Sequence, residues 1–382
     1  MRILVTGATG YVGSRLITAL LADNHQVVAA SRNPARLKRF GWGDDVTSVT
    51  LDASDEVSAH AAFALSRDEA GPVDVVYYLV HAIGQPGFRD ADRAAAANVA
   101  AAARDAGVKR IVYLGGFVPH DDELSQHLTS RAEVAHALTI EGGPELVWLG
   151  AAIIIGAGST SFEMMRYVGD RFPLMPMPGW MDNPIEPISI RDVLRYLVAS
   201  ADRDHVPAGA YDIAGPDTTS YRALLRTYAR ISGRWHASVR VPIDTAVASL
   251  ITGVALPVPQ GLAGDLVESL DHPMVACGTG LRDRVPDPPE GLIGVAEAIA
   301  LALQDEPPRP VNALKDPHHL ADTDPAWAGG DALRIRRLAR AVTPPIARPT
   351  LRLLNMVPGP LAGALRTYLD ILVTLTPKVR SA

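Results

Sequence analysis

The chain has 382 residues, 48% hydrophobic and 20% charged, a composition ordinary for a globular protein and sufficient for one large or two moderate domains. A formal net charge of −6 argues against a general nucleic-acid binder, and the single cysteine, Cys277, excludes an internal disulfide and a cysteine-based metal cluster. With an apolar run opening at Arg2 there is no room for a signal peptide, so a reducing cytoplasm is the expected location.

The first element is the apolar run Ile3-Leu4-Val5, a short strand, and it leads into Gly7, Thr9, Gly10, Tyr11, Val12 and Gly13. Apolar residues then recur at helical spacing through Leu16, Ile17, Leu20 and Leu21. Strand, glycine turn and helix in that order form a dinucleotide-phosphate site. Gly7 allows the tight turn, Gly10 the approach of a pyrophosphate, and Gly13 close packing of helix on sheet. The phosphate charge would then meet free N–H groups at a helix N-terminus.

Apolar runs at 26–30, 47–51, 73–79, 110–114 and 145–149 alternate with alanine-rich helical segments, which predicts an α/β fold with a Rossmann-like, doubly wound parallel sheet over residues 1–150. The alanine-rich helix from Asp90 to Ala106 ends at Gly107, as a C-terminal cap glycine would end it. At the end of the second strand, where a carboxylate would bind the ribose hydroxyl of NAD, the chain reads Ser31-Arg32-Asn33. Arg32 suits a charge-assisted contact with a 2′-phosphate, so NADP(H) is the expected cofactor, with NAD(H) second. The alternative is a solvated loop cation beside Arg36, Lys38 and Arg39. Asp52, after the third strand, is placed either to accept from the adenine amino group or to cap the next helix in competition with Ser54.

After Leu149 the alternation breaks down. A proline- and glycine-rich stretch, 173–187, is expected to be a loop, and residues 151–305 a smaller substrate-side lobe with a helix over 191–201, a strand near 211–213 and a helix over 221–232. A helix over 159–170 would present Glu163, Arg166 and Tyr167 on one face, with Phe162, Met164 and Met165 in the core and Trp180 and Met181 capping the cleft. The stretch 246–259, broken by Gly253 and Pro257, is too short for a membrane span of roughly 20 residues and reads as core or as part of this lobe. The proline-rich segment 306–310 is expected to end the compact fold. In the tail over 306–382, nine basic side chains and one acidic side chain, Asp370, follow from Arg334 onward. Leu361, Leu365, Tyr368, Leu369, Leu372 and Leu375 form one helical stripe, and basic residues flank an earlier one. That pattern suits peripheral contact with an anionic membrane through residues 331–382, or docking on the chain itself or on a second subunit.

The segments TGATGYVG, YYLVHAIG at Tyr77–Gly84, AGVKRIVYLGG at Ala106–Gly116, HLTSRAEV at His127–Val134 and PIEPISIRDVLRYL at Pro184–Leu197 resemble the atypical short-chain dehydrogenase/reductases, and within them the NmrA-like NAD(P)H-binding branch. The resemblance covers roughly residues 1 to 300. It implies cofactor contacts from Leu79, Val80 and His81 at the end of the fourth strand, coupling of lobe and cofactor domain through Arg191 and Asp192, and twofold association through two helices. Standard members carry a Tyr and a Lys four residues apart on one helix, where the Lys lowers the Tyr pKa, and a Ser at the end of the fifth strand. Here the corresponding positions read His127, Arg131 and Gly115-Gly116. His127 is the candidate general acid, and Arg131, always charged, can hold a ribose or phosphate but cannot relay a proton. Both are alternatively polar braces at the start of a helix, and His81 is a pocket residue or a structural histidine. Asp121, Asp122 and Glu123 read as a solvated loop, and no spacing of histidines and acids reads as a metal site. The expected function is an NADP(H)-binding oxidoreductase acting on a small-molecule substrate, a small or lipophilic carbonyl or enone. The alternative is a sensor or assembly protein that binds NAD(P)H without turnover, and a nucleotide-sugar epimerase or dehydratase is third.

Overall fold

The computed structural model describes residues 1–66, 71–82, 87–117, 126–172, 174–233, 237–248, 256–257, 267, 269–278, 281–331, 333 and 368–369. Seven strands form one parallel sheet: β1 (Arg2–Val5), β2 (Gln26–Ser31), β3 (Thr47–Thr50), β4 (Val75–Tyr78), β5 (Arg110–Gly116), β6 (Glu145–Ala151) and β7 (Gly209–Ile213). The spatial order is β7-β6-β5-β4-β1-β2-β3, so the chain winds outward from β1 in one direction and then reverses. That reversal leaves a crevice at the C-terminal ends of β1 and β4, where ligands bind in such sheets.

Both faces of the sheet are covered around its middle, which is why β1, β2 and β4 are apolar without alternation. On one face β1, β2 and β4 pack through Ile3, Val27 and Tyr77 against Leu16 and Ile17 of α1 (Tyr11–Ala22) and against Val193 and Leu197 of α6 (Ile190–Ala199). On the other, Leu4, Val28 and Val76 meet α2 (Glu56–Leu65), α3 (Phe88–Asp105) and α4 (Gln126–Leu138). Alanines 95, 96, 100 and 103 on α3 let that helix lie close to its neighbours. It stops at Gly107, whose φ of +74° few other residues adopt.

The nucleotide-binding layer is not confined to residues 1–150. Tyr211–Ile213, expected in the substrate lobe, belongs to β7, which pairs parallel with β6 in the main sheet, and α6 packs beside α1. Arg110 holds this arrangement together. Fully buried, it donates to Glu145 Oε1 (2.8 Å) and to the carbonyls of Ser200 (2.7 Å) and Val206 (2.6 Å), tying the chain between α6 and β7 to the base of β5 and β6.

The second lobe is built from α5 (Thr160–Arg171), α7 (Tyr221–Ser232) and α8 (Val295–Ala302), which share a core of Phe162, Leu224, Tyr228, Ala298 and Ile299. The stretch expected to be loop at 173–187 contains a strand, Leu174–Met177, paired parallel with Ala237–Arg240, and a helical turn at Gly179–Asp182. The strand pairs along its length although Pro176 within it has no N–H to donate.

The compact fold does not end at the prolines of 306–310. Residues 311–333 run back across the molecule. Val311 and Ala321 enter the core under α1, and Asn312 donates to the carbonyl of Gly41 (2.8 Å). Of the apolar stripe expected in the tail, only Tyr368 and Leu369 are described, and both are exposed. The other tail positions singled out in the sequence, most of 246–259 and the acidic residues 121–123 lie outside the described residues. No described helix is long and apolar enough to cross a membrane.

Candidate functional site

The glycine turn follows β1 directly. Gly7 has φ +65°, and a Cβ there would stand 2.6 Å from the carbonyl oxygen of Leu79. A Cβ on Gly13 would come 2.3 Å from the Gly7 carbonyl, so this glycine closes the loop upon itself and does not serve helix–sheet packing. Gly10 is the N-cap of α1 with no side-chain cap bond, so the first N–H groups of the helix carry no capping side chain. The cradle has the form that a pyrophosphate needs: backbone donors, glycines that let the ligand come close, and the positive end of a helix. Thr6, missed in the sequence, fixes the crevice. Its hydroxyl donates to Tyr77 O (3.0 Å) and accepts from Leu79 N (3.1 Å), locking the end of β1 to the end of β4.

From this loop a cavity of about 650 Å³ runs into the second lobe. Its wall brings together Gly7, Thr9, Gly10, Tyr11, Val12 and Gly13 with Leu79, Val80, His81 and Arg131, along with Gly115 and Gly116 at the end of β5. It does not include Ser31, Arg32 or Asp52, which lie at the outer ends of β2 and β3. The hydroxyl of Ser31 is turned toward Asn33, and Arg32 is exposed. Asp52 Oδ1 accepts from the hydroxyl (2.7 Å) and N–H (3.1 Å) of Ser54. Those bonds, aided by Arg32, hold its carboxyl below the usual range. Neither Asp52 nor Ser54 caps α2. Asp55 does, accepting from Val57 N at 3.0 Å.

Polar groups make up the smaller part of the cavity wall, and among the described residues Arg131, His81 and Asp324 are its ionisable side chains other than tyrosines. Arg131 on α4 is 8% exposed, and its backbone carbonyl accepts from Tyr113 Oη (3.4 Å). His81 lies in the cavity wall and is exposed, and desolvation by the surrounding protein together with the nearby Arg131 guanidinium lowers its pKa. Asp92, a buried carboxylate on α3 also missed in the sequence, accepts from Ala82 N (2.6 Å) and Ser130 Oγ (3.5 Å), bracing the chain after β4 against α4. Burial raises its pKa, partly offset by the Ala82 N–H and Arg131. His127 lies in the first turn of α4, and its side chain is outside the described residues. At the end of β5, a Cβ on Gly115 would meet Trp148 Nε1 at 2.8 Å and the Tyr113 ring at 3.0 Å, so there is no room for a side chain there.

The lobe side of the cavity is mostly apolar, with Ser159, Thr160, Ser161 and Tyr221 among its hydroxyl groups. Met164, Met165, Val168, Trp180, Leu225 and Met274 are part of it, which places Trp180 in the cleft as its position in sequence suggested. Arg191 and Asp192 face elsewhere. Arg191 bonds Asp316, and Asp192 accepts from Ile293 N (3.0 Å), tying α6 to the segment before α8. Ser189 Oγ, His318 and Asp316 line up at 3.0 Å and 2.6 Å in the order of a hydrolase triad. Ser189 is nevertheless 1% exposed and caps α6 by accepting from Arg191 N, so the trio is a structural clasp.

A family model described as NAD(P)H-binding matches residues 7–140. The chain therefore carries an NAD(P)H-binding domain on a Rossmann-like fold. It is 27% identical to the (4-alkanoyl-5-oxo-2,5-dihydrofuran-3-yl)methyl phosphate reductase of Streptomyces griseus over 258 residues, 68% of this chain and 83% of that protein. It is also 24% identical over 255 residues to an uncharacterized protein of Mycobacterium tuberculosis, a match that takes in 67% of this chain but only a quarter (25%) of that longer protein. Among solved structures, a nucleoside-diphosphate-sugar epimerase from Staphylococcus aureus superposes with a TM-score of 0.61 at 18% identity, covering 78% of this chain and 100% of that one. WbmG of Bordetella bronchiseptica, solved with NAD and UDP, gives 0.59 at 17% identity over 79% of this chain and 92% of its own.

Proposed function

We propose that this chain is an NADP(H)-dependent oxidoreductase that reduces a lipophilic carbonyl or enone. One observation carries the reading: the cavity that starts at the dinucleotide loop continues between methionine, leucine, valine and tryptophan side chains, with Arg131 and His81 near the strand ends. A site for a nucleotide sugar needs donors for a diphosphate and for sugar hydroxyls, and burying such groups unpaired costs several kcal/mol. An alkyl chain is instead favoured here by about 0.8 kcal/mol per buried CH₂. The Streptomyces griseus reductase is named for a phosphate ester that bears an alkanoyl group on an unsaturated ring; its alkanoyl part is in keeping with this reading, and its phosphate would need a cationic partner such as Arg131.

The residues present fit a dinucleotide. Gly7, Gly10 and the N-terminus of α1 would hold its pyrophosphate, and the exposed Arg32, with no carboxylate at the end of β2, favours the phosphorylated form. When bound, the nicotinamide supplies a hydride. The apolar wall excludes water and positions the acceptor chain. Arg131 orients the acceptor oxygen or the ribose, and the proton comes from His127 or from water.

A second reading, a non-catalytic NAD(P)H-binding sensor or assembly protein of NmrA-like type, is favoured by Gly115, where the crowding of Trp148 and Tyr113 leaves no place for a catalytic hydroxyl. The deciding experiment follows deuteride from stereospecifically labelled NADPH into a panel of carbonyl and enone compounds, with His127→Ala alongside. Transfer with one face preferred establishes the reductase. No transfer from saturating cofactor to any acceptor establishes the sensor.

A further inference from the structure

The segment 311–333 lies beyond the region that resembles the dehydrogenase/reductases, yet Thr323, Asp324, Pro325 and Trp327 belong to the wall of the cavity. It is fastened by buried polar bonds at both ends. At the nucleotide side, Arg15 on α1 donates to Pro317 O (2.9 Å), His319 O (2.9 Å) and Asp324 Oδ2 (2.8 Å). At the lobe side, Glu163, Tyr167 and Arg171 follow one another at i, i+4 and i+8 along α5, so they share a face. Each holds one point of the segment. Glu163 accepts from Gly329 N (3.0 Å), Tyr167 Oη donates to Trp327 O, and Arg171 pairs with Asp331 at 2.8 Å with both side chains almost wholly buried. Trp327 is thereby fixed by its backbone while its indole packs among Met164, Val267 and Leu270, side chains of the apolar cavity wall. Buried bonds of this kind add little net stability but specify one geometry, since any other leaves charges unpaired.

We infer that this segment is a working wall of the substrate site and that Trp327 is the residue that limits the length of hydrocarbon chain the site accepts. The inference rests on the lipophilic substrate proposed above. A tryptophan is bulky and rigid, and its backbone here cannot retreat without breaking the Tyr167 and Glu163 bonds. A growing alkyl chain therefore gains affinity with each methylene until it meets the indole, and then gains no more.

The test uses the full chain saturated with NADP⁺ and a series of straight-chain methyl ketones, their binding read by displacement of a fluorescent apolar dye. In the unaltered protein, affinity rises about fourfold per methylene, the equivalent of ~0.8 kcal/mol, and then levels off. In Trp327→Ala the levelling moves to longer ketones, so the first chain past the original limit binds at least about fourfold tighter than to the unaltered protein. Trp327→Leu, which keeps an apolar filler against Met164 and Val267, gives a smaller shift in the same direction and serves if the alanine variant does not fold. NADP⁺ affinity is unchanged in both. An identical limit in the unaltered protein and in a folded variant overturns the role of Trp327 and leaves the substrate class standing. If no ketone of any length displaces the dye from the unaltered protein, the lipophilic reading itself falls, and this inference with it.

Discussion

Arg15 and Asp324, 309 positions apart in the chain, meet at 2.8 Å with side chains 1% and 4% exposed. The guanidinium also stacks over the Tyr11 ring at 4.0 Å, so the clasp touches the dinucleotide loop itself. Burial, partly offset by Arg15, raises the pKa of the Tyr11 phenol and keeps it protonated. Asp324→Ala would leave a buried cation without its counter-charge, a change that typically costs ~3–5 kcal/mol. Urea unfolding should show a loss of that order. A loss within ~0.5 kcal/mol, as at a surface position, would mean that the pair is not buried in solution.

Truncation distinguishes the segment that closes the fold from the one beyond it. A chain ending after Leu333 keeps Arg15–Asp324 and Arg171–Asp331, so it should still melt cooperatively. A chain ending after Pro310 loses both pairs and the core contributions of Val311 and Ala321, and should be unfolded or bind apolar dyes like a loosened core. Circular dichroism and calorimetry of the two truncations decide the matter.

For the cofactor loop, Gly7→Ala combines a left-handed backbone position with a Cβ 2.6 Å from the Leu79 carbonyl. The conformational term alone is ~1–2 kcal/mol. Calorimetric titration should therefore show at least ~10-fold weaker NADPH binding together with a lower Tm. Wild-type affinity in this variant would sink the assignment of the loop.

Arg32→Ala probes the phosphate preference. Hydrogen bonds to a charged group contribute about 1.5–3 kcal/mol, so NADPH affinity should fall roughly 10- to 100-fold while NADH affinity stays put. Equal effects on the two nucleotides, or none, would assign Arg32 to the solvent.

Acid pH should loosen the contact between α6 and the C-terminal segment. Burial works to raise the Asp316 carboxyl, but it is outweighed by hydrogen bonds from the His318 ring and N–H and from Arg191, so its folded-state pKa lies well below the usual carboxylate value. A depressed acid pKa contributes stability that is present above the unfolded value, ~3.9, and lost as pH falls toward the folded one. Below about pH 4 the Tm of the native chain should drop faster than that of Asp316→Asn. Parallel acid limbs would refute the linkage.

What the sequence disclosed and what it hid follow from range. The glycine loop, the apolar strands and the Gly107 stop are local patterns, each legible within about a dozen residues. β7 was misplaced because nothing in Tyr211–Ile213 says which sheet it joins. Its partner, β6, lies some sixty positions earlier, as the pairing of Tyr211 with Leu149 shows. Proline at 307–310 suggested an end because it breaks elements, yet the segment beyond is held by ion pairs whose halves lie more than a hundred positions apart in the chain. Two clues were present: an arginine beside the buried positions Leu16 and Ile17 of α1, and the Glu163, Tyr167, Arg171 spacing on α5. A buried ionisable residue needs a partner, and neither helix supplies one for Arg15 or Arg171. Asp92 was hidden for a related reason, since an acidic residue near the start of an alanine-rich helix reads as a favourable dipole contact until the loop it holds is seen.

The clasp on Arg15 also sets an order of events during biosynthesis. Helix α1 leaves the ribosome hundreds of residues before Asp324 is made, and domains form from the N-terminus as they emerge. Until then its guanidinium must stay hydrated, so the nascent nucleotide domain can be only partly consolidated, and translation of the closing segment completes the first helix.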